Sequence, residues 1–274
     1  MDENDGKLEV TLLGDSTLDN IVWVANTEEA VPAQLKERLG EQAVVINFAA
    51  DGFNTKDMLE GQVPSISYAA RLHADPFPID EGDAFYPLIF IQGSASTHAV
   101  LSVGGNDVRE ILGRMDLLQE RIMQFMINYP IIVSQIVSQI PKLTICLQYR
   151  PSVLDSPYGV YQAMAAVPGP GSAVQKLNKL METVFPVIFQ AARQHGLPIV
   201  DLARSFDIND SSLYVSQIEP SAEGSKLIAG LLSHVIKHHD FAAEPSTFYF
   251  KPPGTDEIVS QVNDGSFEWK VDDP

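Results

Sequence analysis

Short apolar runs rich in β-branched residues alternate with longer stretches of helical periodicity over most of the chain. The runs predict strands at Leu8–Leu13, Ala43–Phe48, His98–Val103, Leu143–Tyr149 and Leu197–Leu202. The periodic stretches predict helices at Val31–Leu39, Thr55–Gln62, Val108–Ile127, Ala173–His195 and Ser221–His238. This alternation is typical of βαβ units, in which helices cover both faces of a parallel sheet. We therefore predict a three-layer α/β/α fold around a five-stranded parallel sheet.

Two segments lie outside this alternation. Ser65–Thr97 is longer than an ordinary connection in a compact domain, which indicates a functional loop or lid. The tail from Phe241 to Pro274 is rich in Pro, Asp and aromatic residues. Since 274 residues suit one α/β domain, we predict a domain at residues 1–240 with residues 65–97 as a candidate lid. Residues 241–274 are then a C-terminal extension that wraps the domain.

The formal net charge of −18 restricts the partners of the chain. Such a surface repels phosphate backbones and anionic lipid heads, so we predict no nucleic-acid or membrane-surface binding. No apolar stretch approaches the roughly 18–20 residues that span a bilayer, because polar residues and Pro130 interrupt the closest one, Phe125–Ile140. Residues Met1–Asp5 are acidic and lack the apolar core of a signal peptide. Cys146 is the only cysteine and lies in an apolar run. We expect a cytoplasmic protein that acts on small molecules.

Three polar, glycine-containing turns follow the first three predicted strands. They are Gly14-Asp15-Ser16, Asp51-Gly52-Phe53-Asn54 and Gly104-Gly105-Asn106-Asp107. Ligands of parallel α/β sheets bind outside the carboxyl ends of the strands, and glycine permits tight turns and close approach of the backbone. Singly, each turn also has a structural explanation, since Asp and Ser are good helix N-caps. Together they predict a site at one edge of the sheet.

These turns resemble the first three sequence blocks of the SGNH/GDSL hydrolase family. The resemblance rests on Leu13-Gly14-Asp15-Ser16, on the glycine after the second strand, and on the run Ser102–Asp107 after the third. Ile218–Ala229 is similar to the last block of the family, which opens its final helix. The resemblance covers most of residues 8–239. It implies a serine esterase built on a flavodoxin-like sheet.

The resemblance also implies roles for individual residues. Ser16 stands in the position of the nucleophile, for which the structural alternative is a helix N-cap. The oxyanion hole would consist of the Ser16 backbone N–H, the Gly52 N–H and the Asn106 side-chain amide. Donors of this kind stabilise a tetrahedral anion by about 2.7–4 kcal/mol each.

Three aspartates accompany these residues. Asp15 and Asp107 are expected to hold their turns in shape, with Asp51 in a supporting position. The three could converge on a metal, but no His/Asp/Glu cluster has ligand spacing. The glycine motifs of dinucleotide and P-loop sites are also missing from the sequence. We therefore predict neither a metal nor a cofactor.

The last block departs from the family pattern Asp-x-x-His-Pro, in which the histidine is the general base and the aspartate orients it. The same positions here read Ser216-Gln217-Ile218-Glu219-Pro220, so Glu219 occupies the position of the base. An unperturbed glutamate has a pKa of about 4.3 and is a poor base near neutral pH. Burial or a neighbouring carboxylate would raise that pKa, so a shielded Glu219 is a candidate base.

A histidine elsewhere is the alternative base. We expect most histidines at the wrong end of the sheet or far along the last helix: His98, His195, His234, His238 and His239. Only His73, in the Ser65–Thr97 loop, would be able to reach the site.

Two functions remain open on the sequence. The first is hydrolysis of a small-molecule carboxylester, lipid or acetyl ester through Ser16, with Glu219 or His73 as the base. The second is a catalytically inactive relative that binds an acyl or sugar-like ligand in the same pocket. The family spans lipids, thioesters, acetylated sugars and arylesters, so the resemblance itself selects none of them. The sequence makes no prediction of the oligomeric state.

Overall fold

The computed structural model describes residues 7–60, 96–110, 115–153, 159–266 and 268–271. Within these ranges the main sheet has seven strands in the order β2-β1-β3-β4-β5-β8-β9, and β6 pairs with β7 separately. The strands are β1 Leu8–Gly14, β2 Ala43–Asn47, β3 Thr97–Ser102, β4 Leu143–Leu147, β5 Ile199–Asp201, β6 Tyr214–Val215, β7 Glu219–Pro220, β8 Thr247–Phe250 and β9 Val259–Val262. The five predicted strands are confirmed as β1 to β5, with ends that differ by at most two residues. Their order is that of a flavodoxin-like sheet.

Helices cover both faces of this sheet, as a three-layer α/β/α fold requires. They are α1 Val31–Leu39, α2 Thr55–Glu60, α3 Gly105–Arg109, α4 Leu118–Gln139, α5 Val160–Ala166, α6 Ala173–His195 and α7 Ala222–His238. Leu12 of β1 packs in one core cluster with α1 and α7, whereas Leu13 packs in the other with α4 and α6. Because neighbouring side chains of a strand point to opposite faces, a continuous apolar strand supplies both layers of the core.

One predicted helix is wrong in its bounds. Among the described residues of Val108–Ile127, α3 ends at Arg109 and α4 begins at Leu118, and α4 continues through Pro130 to Gln139. An interior proline costs about 3 kcal/mol of helix stability. The buried face of α4, which includes Tyr129 and Ile132, offsets that cost. Helix α6 likewise continues through Pro186, because burial of one of its faces offsets the cost of that proline. No helix in the described ranges, α4 included, is long and apolar enough to cross a membrane.

The main sheet has seven strands instead of the predicted five, because the tail contributes two of them. Strand β8 pairs in parallel with β5, and β9 pairs antiparallel with β8. Beyond them, Trp269 is buried and its indole N–H donates to Asp201 at 2.7 Å. The Trp269 ring lies 5.0 Å from the Phe185 ring of α6. Part of the tail is therefore integral to the sheet and the core.

Removal of the Trp269 ring is expected to destabilise the whole domain. Trp269→Ala should lower the free energy of unfolding by about 3–5 kcal/mol, because it leaves a cavity beside Phe185. Urea unfolding measures this loss. Val262→Ala, at a side chain in the same tail that is 48% exposed, is the control and should stay within about 0.5 kcal/mol of the parent. Equal stability of the two variants would contradict a structural role for the tail.

Candidate active site

The turns after the first three strands are joined by hydrogen bonds. The Asp15 N–H donates to the Ser102 carbonyl at 2.8 Å, and the Ala50 N–H donates to the Gly14 carbonyl at 2.8 Å. Gly14 has φ +123°, and a Cβ there would collide with the carbonyl oxygen of Ser102, so only glycine fits. The register pairs Gly14 with Ser102. The predicted meeting of the turns at one edge of the sheet is confirmed.

Ser16 and Glu219 meet at this edge. Ser16 directly follows the turn after β1, and its hydroxyl lies close enough to the Glu219 carboxyl to act on the pKa of that carboxyl as a hydrogen-bond donor. Glu219 opens β7, which pairs with β6 through Val215 and Glu219. The connection between these strands includes Ser216 at φ 59°, a left-handed conformation that is costly for a residue other than glycine. The short hairpin and the Ser221 N-cap of α7 thus fix the position of Glu219.

Buried Asn20 ties the segment after Ser16 to the segment after Glu219. Its amide donates to the Pro220 carbonyl at 3.1 Å and to the Ser225 hydroxyl at 2.7 Å. Its carbonyl oxygen accepts from the Val31 N–H at 2.9 Å. Asn20 could not be identified from the sequence, because two of its three partners are about 200 residues away along the chain.

The pKa of Glu219 is raised to about 8. Burial is the largest cause, since only 2% of the residue is exposed, and the charges of Asp51 and Asp15 add to it. The hydrogen bond with Ser16 and the charge of Arg109 act in the opposite direction. Within the described residues, Oε2 of Glu219 has no hydrogen-bond partner. The carboxyl therefore exchanges its proton close to neutral pH.

Asp15 organises the turn that carries the serine. Its carboxyl accepts from the Thr17 N–H at 3.2 Å, from the Ser102 hydroxyl at 3.1 Å and from the Gln148 amide at 2.9 Å. Burial raises the pKa of Asp15 to about 7, although the hydrogen bonds from Thr17 and Ser102 oppose the rise. Gln148 directly follows β4. It could not be recognised as a turn residue from the sequence, because the predicted strand Leu143–Tyr149 contains it.

The two predicted oxyanion donors outside Ser16 differ in the structure. Asn106 lines the cavity beside Ser16 and donates one amide hydrogen to the Phe53 carbonyl at 2.9 Å. A side-chain amide has two donors, so one remains for a ligand. Gly52 has φ +87°, and its backbone N–H donates to the Asp51 carboxylate. In this state, the Gly52 donor is engaged.

Asp107 and Asp51 accept hydrogen bonds from neighbouring groups of the site. Asp107 accepts from the Thr55 N–H at 2.9 Å and from its hydroxyl at 2.6 Å, at the start of α2. Burial raises the pKa of Asp107 to about 6. Asp51 accepts from the Trp23 indole at 3.2 Å, and burial raises its pKa as well. In the part of the chain that the structure describes, no group of three or more His, Cys, Asp or Glu residues is arranged to hold a metal.

The histidines of the described ranges lie away from Ser16. His98 pairs with Val10 in the sheet, whereas Ser102 pairs with Gly14 at the end where the turns meet. The remaining ones lie at or just beyond the C-terminal ends of α6 and α7: His195, His234, His238 and His239. None of these five lines the cavity. His73, the predicted alternative base, lies outside the described residues.

The cavity beside Ser16 has a mostly apolar wall. Its polar groups include Asp15, Asn106, Gln148 and Glu219, and α6 contributes six apolar residues to its lining, more than any other helix. Helix α5, which contributes Val160, was not predicted from the sequence. Helical periodicity predicted α6 but does not distinguish a core from a cavity wall.

A serine on the glycine-containing turn after the first strand, at the carboxyl edge of a flavodoxin-like sheet, is the arrangement of an SGNH-type hydrolase. The chain belongs to the GDSL-like Lipase/Acylhydrolase family, whose model matches residues 12–227.

The solved structures that are similar to this chain share little sequence identity with it. Est24, a carbohydrate acetylesterase from Sinorhizobium meliloti, is 13% identical, with 84% of this chain and 99% of that chain covered and a TM-score of 0.48. The aryl esterase of M. smegmatis is also 13% identical, with coverage of 84% and 98% and a TM-score of 0.48. Phospholipase A1 from Streptomyces albidoflavus is 16% identical, with coverage of 80% and 94% and a TM-score of 0.45. A comparison with curated proteins found no match.

Proposed function

We propose that the chain hydrolyses small-molecule esters, with Ser16 as the nucleophile and Glu219 as the general base. The observation that carries this proposal is that Ser16 and the buried carboxyl of Glu219 line one cavity, where burial raises the pKa of Glu219 to about 8. A serine hydroxyl needs a base to take its proton, and an effective base titrates near the working pH. Glu219 meets both conditions where the family pattern has a histidine.

The reaction proceeds in two displacements. The Ser16 oxygen attacks the ester carbonyl carbon while its proton passes to the Glu219 carboxylate. The tetrahedral intermediate collapses, the C–O bond to the alcohol breaks, and the alcohol leaves with the proton from Glu219. Water then attacks the carbonyl carbon of the acyl-serine and loses a proton to the Glu219 carboxylate. The bond between that carbon and the Ser16 oxygen breaks, the Ser16 oxygen takes the proton from Glu219, and the acid is released.

The negative oxygen of the intermediate requires hydrogen-bond donors. The Ser16 backbone N–H and the second amide hydrogen of Asn106 are the donors that we propose for the resting geometry. Gly52 adds a third donor when its N–H leaves the Asp51 carboxylate. Asp15 and Gln148 hold the serine turn through hydrogen bonds of 2.9–3.2 Å and act as positioning residues.

Covalent labelling tests the proposal directly. An activated serine displaces fluoride from an alkyl fluorophosphonate, so mass spectrometry should find one phosphonyl adduct, on Ser16. The Ser16→Ala variant is the control and should carry none. Labelling of another serine would overturn the assignment. No adduct, together with no hydrolysis of any ester, would favour the second candidate, an inactive relative that binds a ligand in the same apolar cavity.

Loss of the Asn106 amide is expected to slow turnover with little change in KM. Asn106→Ala should lower kcat by about 10²–10³-fold, because the amide contacts the oxygen only when negative charge develops on it. Steady-state kinetics on a p-nitrophenyl ester measures the effect. Asn106→Asp keeps the shape of the side chain without its N–H donors and should be at least as slow. A loss smaller than about tenfold in both variants would remove Asn106 from the oxyanion hole.

A further inference from the structure

We infer that the cavity beside Ser16 binds the aliphatic acyl chain of the ester, so that the site prefers medium-chain acyl groups to acetyl. The catalytic part of this inference rests on the proposed function. The binding part rests on the cavity alone and is testable without turnover.

One face of α6 forms the apolar wall of the cavity. Its members recur at intervals of three and four residues, and they are Leu177, Leu180, Met181, Val184, Phe185 and Ile188. None of them offers a hydrogen-bonding side chain. A sugar bound against this wall would leave hydroxyl groups without partners, which is costly in a buried site. Hydrocarbon is the chemistry that matches the wall.

The charged side chains of the cavity are grouped around the serine. They are Asp15, Arg109 and Glu219. Glu219 is close enough to Ser16 for the serine hydroxyl to affect its pKa, and Asp15 directly precedes Ser16 in the chain. Arg109 lies 3.5 Å from the oxygen of the Asn106 amide. The cavity therefore has a polar end, where an ester group reacts, and an apolar wall beyond it.

The direction of α6 gives the cavity depth. This helix precedes β5 in a parallel sheet, so it runs from the edge that carries Ser16 toward the opposite edge. From Leu177 to Ile188 the wall extends about 16 Å along the helix axis. An acetyl methyl group would contact only the beginning of this wall, whereas a longer acyl chain would follow it. Each methylene that leaves water should raise kcat/KM about fourfold until the cavity is full.

The chain-length profile tests the catalytic part. We expect kcat/KM to rise from p-nitrophenyl acetate through butanoate and hexanoate to octanoate. Val184→Phe places a larger side chain in the cavity beside the apolar wall. It should lower the octanoate-to-acetate ratio of kcat/KM at least about tenfold, because about two methylenes of the acyl chain would lose their binding space. Val187→Phe introduces the same change on α6 at a half-buried residue that does not line the cavity. It should keep the parental ratio.

Trp269 provides a readout that needs no turnover. It lies against Phe185, a cavity residue, with ring centroids 5.0 Å apart. Trp23 is the other of the two tryptophans. In a Ser16→Ala, Trp23→Phe protein, methyl ω-bromo-octanoate should quench the Trp269 fluorescence saturably, since bromine quenches indole at short range. A neutral ester is the appropriate probe, because the acidic groups at Ser16 would repel a free carboxylate. Addition of Val184→Phe should weaken this binding at least about tenfold.

The two measurements separate the inference from the proposed function. Quenching that saturates and is weakened by Val184→Phe supports the acyl site even if no ester is hydrolysed. Hydrolysis fastest on acetate, with no saturable quenching, would overturn the acyl site and leave the esterase intact. A Val187→Phe profile that changes as much as that of Val184→Phe would also overturn it, since the effect would then come from packing of α6 alone.

Discussion

Replacement of Ser16 by alanine is expected to lower kcat for ester hydrolysis by about 10⁴–10⁶-fold. Without the hydroxyl, no acyl-serine forms, and the remaining donors only bind the ester and polarise its carbonyl. The fold should persist, because one buried hydroxyl is exchanged for hydrogen and a typical hydrogen bond contributes only about 0.5–1.5 kcal/mol. Hydrolysis of p-nitrophenyl esters and urea unfolding measure the two quantities on the same preparation.

The matched control is Ser138→Ala on the exposed side of α4, where the hydroxyl donates only to the Gln135 carbonyl. It should retain the activity and the stability of the parent. Activity in Ser16→Ala above one-tenth of the parent would show that another group carries the reaction.

Glu219→Gln is expected to lower kcat/KM by about 10²–10⁴-fold at pH 8, the usual contribution of general base catalysis. The base acts only without its proton, so kcat/KM of the parent should rise with pH through about 8 and then level off. Glutamine has the shape of the protonated carboxyl and cannot titrate, so the variant should lose this rise. A parental kcat/KM that stays flat through pH 8 would exclude Glu219 as the general base. A rise that persists in Glu219→Gln would exclude it as well, and either result would return His73 as the candidate base.

The same substitution should not destabilise the protein at high pH. The pKa of Glu219 is raised in the folded state from 4.5 to about 8. The stability linked to its proton is therefore present below about pH 4.5 and is lost as pH rises through about 8. Asp15 and Asp107, with pKa values raised to about 7 and about 6, act in the same direction. At pH 9, Tm of Glu219→Gln should equal or exceed that of the parent, and exposed Glu223→Gln is the control. A lower Tm would mean that the charged carboxylate is stabilised in the fold.

The sheet was predictable where a local pattern decides the structure. Strands β1 to β5 are mostly continuous apolar runs, and α1 and α6 match their predicted bounds because periodicity and end signals agree. Helix α4 and strands β8 and β9 depend on tertiary contacts instead. Burial of one face of α4 outweighs the cost of Pro130. Strand β9 alternates between half-buried and exposed residues, and its pairing with β8 holds it in the sheet.

The candidate site was predictable in its residues rather than in its electrostatics. Ser16, Asn106 and Glu219 follow from the turns and from the family blocks, and the structure brings all three to one cavity. The pKa of Glu219 could not be predicted from the sequence, because it depends on burial and on carboxylates far away in the chain. The engagement of the Gly52 N–H by Asp51 is likewise a property of the folded turn.

The bridge from Asn20 to the start of α7 has a consequence for how the protein acquires activity. Ser16 and Glu219 come together only when segments about 200 residues apart have docked. Contacts of such high sequence separation are slow to form, since a long loop must close before they stabilise anything. A collapsed intermediate with most of its helices in place would therefore hold an unpaired serine and an exposed, acidic glutamate. An activity that depends on Ser16 and Glu219 would require these long-range contacts, so it would report the docking of the two segments more strictly than helix content does.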